Sequence, residues 1–143
     1  MKYRIEIHPS QEEDLLIFGK APSPVLQRIE EILQNEEPVL LGFRGEETVQ
    51  ISIESVYCFC AEDNKTYVLT EREKFRIRER LYRVEESFGE RFLRINQSCL
   101  VNPAKIARFH GSVGGSLLVI LKNGYQDYVS RRQLKTVKER IGF

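Results

Sequence analysis

The stretch FLRINQSCLVN, residues 92–102, begins and ends like a buried strand but is polar in its middle. Phe92, Leu93, Ile95, Leu100 and Val101 suit a pleated, half-buried surface, whereas Asn is depleted from strands. Two short strands joined by a bend at Gln97 and Ser98 reconcile the two tendencies. If Leu93 and Ile95 point inward, the period of two sends Arg94 and Asn96 outward. The expectation is a polar tip on a β scaffold.

The surrounding chain supplies the scaffold. Downstream, Asn102-Pro103 turns the chain, residues 106–109 read as a brief strand, and GSVGGS (111–116) is a loop. LLVILKNGYQDYVS (117–130) reads as a hairpin, with Asn123-Gly124 suited to a type I′ turn. A closing helix is expected from Ser130, with Ser130 and Gln133 as a capping box and Leu134, Val137 and Ile141 as its apolar stripe. Upstream, VLLGF (39–43), TVQISI (48–53), VYCFC (56–60), TYVLT (66–70) and KFRIR (74–78) read as strands. Asp63-Asn64-Lys65 is a turn, and Leu81, Val84 and Phe88 mark a short helix ending at Gly89.

Ahead of these, KYRIEI (2–7) alternates and predicts another strand. Ser23-Pro24 is a helix start, a cap followed by a proline where no N–H is needed. That helix is expected to run to about Asn35, with Leu26, Ile29 and Leu33 on one stripe, and Glu36-Glu37-Pro38 ends the unit. The reading is therefore mainly β with short helices: an acidic strand-helix extension over 1–37, then an antiparallel β domain over 38–143.

The 143 residues suffice for a hydrophobic core without disulfides or metal. Spanning a membrane takes about 20 apolar residues, and no such run exists, so direct membrane insertion is not expected. The start has no secretory apolar region, which predicts a cytoplasmic protein. Cys58, Cys60 and Cys99 read as small core residues; two thiols on one strand face do not complete a zinc site, and His8 and His110 stand apart. No cofactor and no metal are expected. Nor is an enzyme: there is no G-x-S-x-G, H-E-x-x-H or Walker motif, and the glycine-rich loop leads into a strand rather than a helix N-terminus.

The net charge of +1 conceals an asymmetry. Residues 1–64 hold 5 Lys+Arg against 13 Asp+Glu, a net of −8, and residues 65–143 hold 17 against 8, a net of +9. A basic half suits a polyanion partner; the plainer reading is a set of solvated faces. Arg131 and Arg132 open the closing helix, where the helix dipole disfavours cations unless an anion docks there. Amide tips such as Asn96 and Gln97 can donate and accept together, as the edge of adenine requires, and Arg can grip guanine or phosphate.

FLRINQSCLVNPAKI followed by GGSLLVILKNGYQDYVSRRQLKTVKERIG resembles the LytTR family of bacterial DNA-binding domains over about Pro38 to the C-terminus. The carrying motifs are an Arg-x-polar-polar-Ser run ending in Val-Asn and a later Ser-Arg-Arg. The resemblance implies small antiparallel sheets whose loops and strand ends enter successive major grooves. It also implies binding as pairs, as a homodimer on direct repeats of double-stranded DNA. By similarity, base reading falls to Gln97, with Asn96 beside it, and to Arg132. A third contact loop falls near Asn64, Lys65 and Thr66. Arg94, Ser98, Arg131 and Lys135 are expected to touch the DNA backbone or support those contacts. Asn96 stands where many members have His. Only 37 residues precede Pro38, too few for the receiver domain of about 120 residues that usually comes first, so a stand-alone type is expected.

The expected function is sequence-specific transcriptional regulation. The rival is a protein-interaction module on the same scaffold, held by a membrane-protein regulator. The acidic extension suits either a dimerisation surface or a screen over the basic half.

Overall fold

Successive strand residues send their side chains to opposite faces, and in this protein both faces of the main sheet are covered around the strands Cys58–Glu62, Leu93–Asn96 and Cys99–Val101. The structure, a computed structural model, describes residues 1–34 and 39–143. It divides into two units, Met1–Glu36 and Glu37–Phe143. The expected helix end at Asn35 and the boundary between residues 37 and 38 lie outside the described residues.

The second unit is built from β1 (Val39–Arg44), β2 (Glu47–Ser52), β3 (Cys58–Glu62), β4 (Lys65–Leu69), β5 (Lys74–Ile77), β6 (Leu93–Asn96), β7 (Cys99–Val101), β8 (Ile106–Gly111), β9 (Leu117–Leu121) and β10 (Gln126–Val129). Its helices are α2 (Leu81–Phe88) and α3 (Leu134–Ile141), with single 3-10 turns at Ile53–Ser55 and Pro103–Lys105. The strands form a seven-stranded sheet in the order β2-β1-β5-β4-β3-β7-β6 and a three-stranded sheet in the order β10-β9-β8. All pairings are antiparallel. The mainly β reading with short helices holds for this unit.

One face of the large sheet buries Leu40, Phe59, Val68, Phe75 and Leu100 against Leu81 and Val84 of α2. Phe59 and Phe92 meet edge to face at 5.0 Å between ring centres. The other face buries Cys58, Leu93, Ile95, Cys99 and Val101 against Leu117, Val119, Leu121 and Val129 of the small sheet and Val137 of α3. Each large apolar side chain so buried contributes about 1.5–3 kcal/mol of transfer free energy. Gly42 sits inside β1 because a Cβ there would lie 2.8 Å from the Cβ of Phe75.

The type I′ geometry expected at Asn123-Gly124 is found instead at the Asp63-Asn64 turn. Asp63 and Asn64 both have positive φ (50° and 62°), the signature of a two-residue type I′ hairpin turn. At Asn123-Gly124 only Gly124 is left-handed, at φ 90°. There the Gly124 N–H donates to Leu121 O at 3.0 Å and the Tyr125 N–H to Asn123 Oδ1 at 3.0 Å. A type I turn closed by a left-handed glycine produces this pattern.

α3 also starts later than its capping-box pattern suggests. Gln133 precedes the helix with no side-chain cap. Residues 130–133 instead form a turn, in which the Gln133 N–H donates to Ser130 O at 3.0 Å. The Ser130 N–H is committed elsewhere, to Ile95 O at 2.8 Å, and this holds the residue at the sheet.

In the first unit, α1 (Pro24–Gln34) begins as expected: the Leu26 N–H donates to Ser23 Oγ at 3.2 Å. None of its residues is buried. Residues 2–7 are not a strand. They are exposed and have no ladder partner among the described residues. Period-two alternation supplies a face to bury but not the second backbone that a strand must bond.

Candidate nucleic-acid interface

Antiparallel pairing brings one set of chain ends together. Glu62 pairs with Lys65 across the Asp63-Asn64 turn, and Thr66 pairs with Ile77 at the end of β5. On the other side of β3, the Ala61 N–H donates to Ser98 O at 2.9 Å, and Asn96 pairs with Cys99 across the Gln97-Ser98 turn. The bond from Ser130 to Ile95 then attaches the turn carrying Arg131 and Arg132. Asn64, Lys65, Gln97, Ser98, Arg131 and Arg132 are all exposed on this one end, and so is Lys135 in the first turn of α3. The β3–β4 and β6–β7 tips lie two strand spacings apart, roughly 10 Å. That fits within the width of a DNA major groove, about 12 Å.

Not every side chain expected at this surface reaches it. Thr66 is 6% exposed, because alternation along β4 sends Lys65 out and Thr66 inward. Its hydroxyl is withdrawn from anything approaching the tip. Arg94 is half-buried on the α2 side of the sheet. Its Nε donates to Glu85 Oε2 at 2.6 Å, and its Nη1 donates to the carbonyls of Asn96 at 3.1 Å and Gln97 at 2.8 Å. The guanidinium thus grips the backbone of the tip from below. Asn96 is engaged at both ends of its amide: Nδ2 donates to Tyr128 O at 2.8 Å, and Oδ1 accepts from the Ser98 N–H at 2.8 Å. The first bond ties the β6–β7 tip to β10, and the second closes the turn as an Asx motif. Gln97 is left as the amide at the apex, facing solvent.

Three contributors escaped sequence reasoning. Glu85 neutralises Arg94 from a helix nine residues earlier, a separation that announces no contact. Tyr128, 58% exposed, stands on β10 beside Asn96; outward alternation from Val129 would have found it. Arg78 follows β5 at the same end, exposed, with its guanidinium 4.7 Å from the centre of the Phe43 ring.

The charge at this end is not internally cancelled. Among the described residues, Glu62 pairs with Lys74 at 3.1 Å and Glu85 with Arg94, while Lys65, Arg131, Arg132 and Lys135 enter no salt bridge. Exposed cations without acid partners are available to phosphates.

Just beneath the tip, Cys60 and Cys99 face each other across β3 and β7. Burial pushes the Cys60 thiol up to about 12. The Cys58 thiol is pushed up further, first by its hydrogen bond with Cys99 and then by burial. Such thiols stay neutral and behave as small apolar residues. Among the described residues no cluster of His, Cys, Asp and Glu could hold a metal ion, and no helix is long and apolar enough to cross a membrane.

A β scaffold that presents three polar tips along one end, two of them cationic, suits a nucleic-acid partner. The family pattern described as LytTr DNA-binding domain matches residues 46–142, and the chain belongs to that family of DNA-binding regulators. An HTH-type transcriptional regulator of Staphylococcus aureus (strain NCTC 8325), itself uncharacterized, is 31% identical over 102 residues, covering 71% of this chain and 69% of that protein. A counterpart in the bovine strain RF122 is 32% identical over the same length. A solved LytTr DNA-binding domain from Bacillus cereus superposes with a TM-score of 0.69 at 23% identity, covering 73% of this chain and 97% of that one, a likeness of fold. Family and fold are those of DNA-binding regulators, not enzymes.

Proposed function

We propose that the chain regulates transcription by reading duplex DNA with the end that carries Gln97 and Arg132. Gln97 reads an adenine edge and Arg132 a guanine edge in the major groove. Asn64, Lys65, Ser98, Arg131 and Lys135 hold phosphates and set the register. Arg94 and Asn96 touch no DNA in this reading. They hold the Gln97 tip at a fixed height and tie it to the strand that leads to Arg132, so the two readers move as one body. Thr66 takes no part.

The observation that carries this reading is the pair of bonds joining the tips, Asn96 Nδ2 to Tyr128 O and Ser130 N–H to Ile95 O, each 2.8 Å. They couple two motifs about thirty residues apart in sequence. The chain acts as a homodimer, one unit on each of two direct repeats, in the cytoplasm of a bacterial cell. Residues 1–37 serve the pairing, and residues 38–143 the reading.

Selection of binding sites from random duplex DNA tests the proposal. The expected result is a short motif, repeated once at fixed spacing. Recovery of no motif, together with capture by a membrane protein, would return the interaction-module reading.

A further inference from the structure

In the first unit, none of the described residues covers the apolar side chains of the N-terminal segment. Tyr3, Ile5 and Ile7 are 83%, 80% and 85% exposed. They alternate with Lys2, Arg4, Glu6 and His8, so one face of the extended segment is apolar and the other charged. The charges do lie on a common side: Arg4 Nε meets Glu6 Oε1 at 2.8 Å, and His8 Nε2 meets Glu6 Oε2 at 3.2 Å. The unit also carries α1, whose stripe Leu26, Ile29 and Leu33 includes no buried residue.

We infer that residues 2–8 of two copies pair as antiparallel strands about a local two-fold axis between their Ile5 residues; this deepens the homodimer proposed above and rests on it. Charge chooses the register. In a two-fold antiparallel pair, residue i of one copy faces residue j of the other and j faces i. Facing residues share a face of the ribbon, so the apolar set meets its like only when i and j have the same parity. Centring on Arg4 sets Arg4 against Arg4, and centring on Glu6 sets Glu6 against Glu6; like charges directly opposite destabilise a pair. Centring on Ile5 sets Arg4 against Glu6 twice, Tyr3 against Ile7 twice and Ile5 against itself. Of these three registers, only this one sets neither Arg4 against Arg4 nor Glu6 against Glu6 while keeping Tyr3, Ile5 and Ile7 against one another. The ribbon then offers a face of six apolar residues. A two-stranded ribbon alone is marginal in water, and the apolar stripes of the two α1 helices are the cover within reach of the same unit.

The occupant is thus a second copy of this chain. The test uses the full chain and measures mass in solution. Wild type is expected to be a dimer at micromolar concentration. Arg4→Glu places acid against acid at both related contacts, and Glu6→Arg places base against base. Each is expected to raise the dimer dissociation constant at least about tenfold. An equimolar mixture of the two variants is expected to recover dimers, all of them mixed, because the acidic strand of one faces the basic strand of the other. The double exchange R4E/E6R in one chain is expected to recover the homodimer. These recoveries exclude misfolding as the cause of the single-variant losses. A dimer that both reversals and Ile5→Asp leave intact uses another surface and overturns this pairing, leaving the homodimer itself standing. A wild-type monomer overturns both. Either way, binding of a single-repeat duplex reports the reading end independently.

Discussion

Arg94 separates two roles that sequence cannot tell apart, a hand on the phosphate backbone and a brace behind the reading tip. Replacing it with Ala removes a bond to Glu85 at 2.6 Å and two bonds to the carbonyls of Asn96 and Gln97 at 3.1 and 2.8 Å. Hydrogen bonds to charged groups contribute about 1.5–3 kcal/mol when buried. The Arg94 side chain is 19% exposed and that of Glu85 is 42% exposed. Water can therefore take over Glu85, and the three bonds together come to roughly 2–3 kcal/mol of stability. The unit should melt about 10 °C lower yet remain folded when cold. Binding suffers separately. The backbone at Asn96 and Gln97, no longer held, must be ordered on the DNA at about 1–2 kcal/mol per residue. For the two residues that is about 2–4 kcal/mol, so affinity for the selected site should fall about 30- to 1,000-fold. Affinity for random DNA should change less than about threefold, since no phosphate contact is lost. Fluorescence anisotropy with both duplexes at a temperature where circular dichroism shows the native fold measures the two losses. Arg94→Lys sharpens the result: ammonium keeps the charge but cannot form the planar fork, so Lys should fail to restore specific binding. Equal losses on both duplexes, or recovery by Lys, would mean that Arg94 grips phosphate and that the brace is wrong.

Gln97→Ala and Arg132→Ala should each cost about 1–3 kcal/mol on the best site and relax selection at one base position, which repeated site selection reads directly. Because both sit on one braced body, the double variant should lose less than the sum of the single losses in a double-mutant cycle. Log affinity should fall against log salt with a slope of about −0.9 per phosphate contacted, and Lys65→Ala should reduce that slope by about one. Burial raises the Cys60 thiol to about 12 in the folded chain, against about 8.5 when unfolded. Its contribution is therefore intact below pH 8.5 and lost as pH climbs toward 12. Denaturant titrations across that window should show falling stability, and alkylation at pH 8 should stay slow until the chain unfolds.

Much of the fold is legible because its strands are short, amphipathic and well punctuated. Each segment read as a strand between residues 39 and 129 became one, within a few residues at its ends. Residues 2–7 did not, because a strand requires a partner and none of the described residues pairs with them. The polar middle of residues 92–102 reads as a bend and is one, yet the outward assignment of Arg94 and Asn96 did not foresee their hydrogen-bond partners. Alternation names two faces but does not say that α2 covers the second, so Arg94 met Glu85 instead of solvent. The amide of Asn96 is satisfied by a carbonyl 32 residues away, a contact that only tertiary pairing creates. Gln97, at the apex of a two-residue tip with the backbone bonded on either side, was the residue that local reasoning could place.

The central claim is that DNA meets the end bearing residues 64, 97 and 132, not the opposite end. The opposite end carries cations of its own, at Arg72, Lys105 and Lys122, where the Lys122 N–H bonds Lys105 O and Asn123 Nδ2 bonds Thr70 O. Titrating the isotopically labelled chain with its selected duplex and following amide resonances distinguishes the two. The backbone amides of Asn64, Lys65, Gln97, Arg131 and Arg132, and the side-chain amide of Gln97, are expected to shift together with a single affinity. Shifts concentrated at Arg72, Lys105 and Lys122, with Gln97 unmoved, would contradict it.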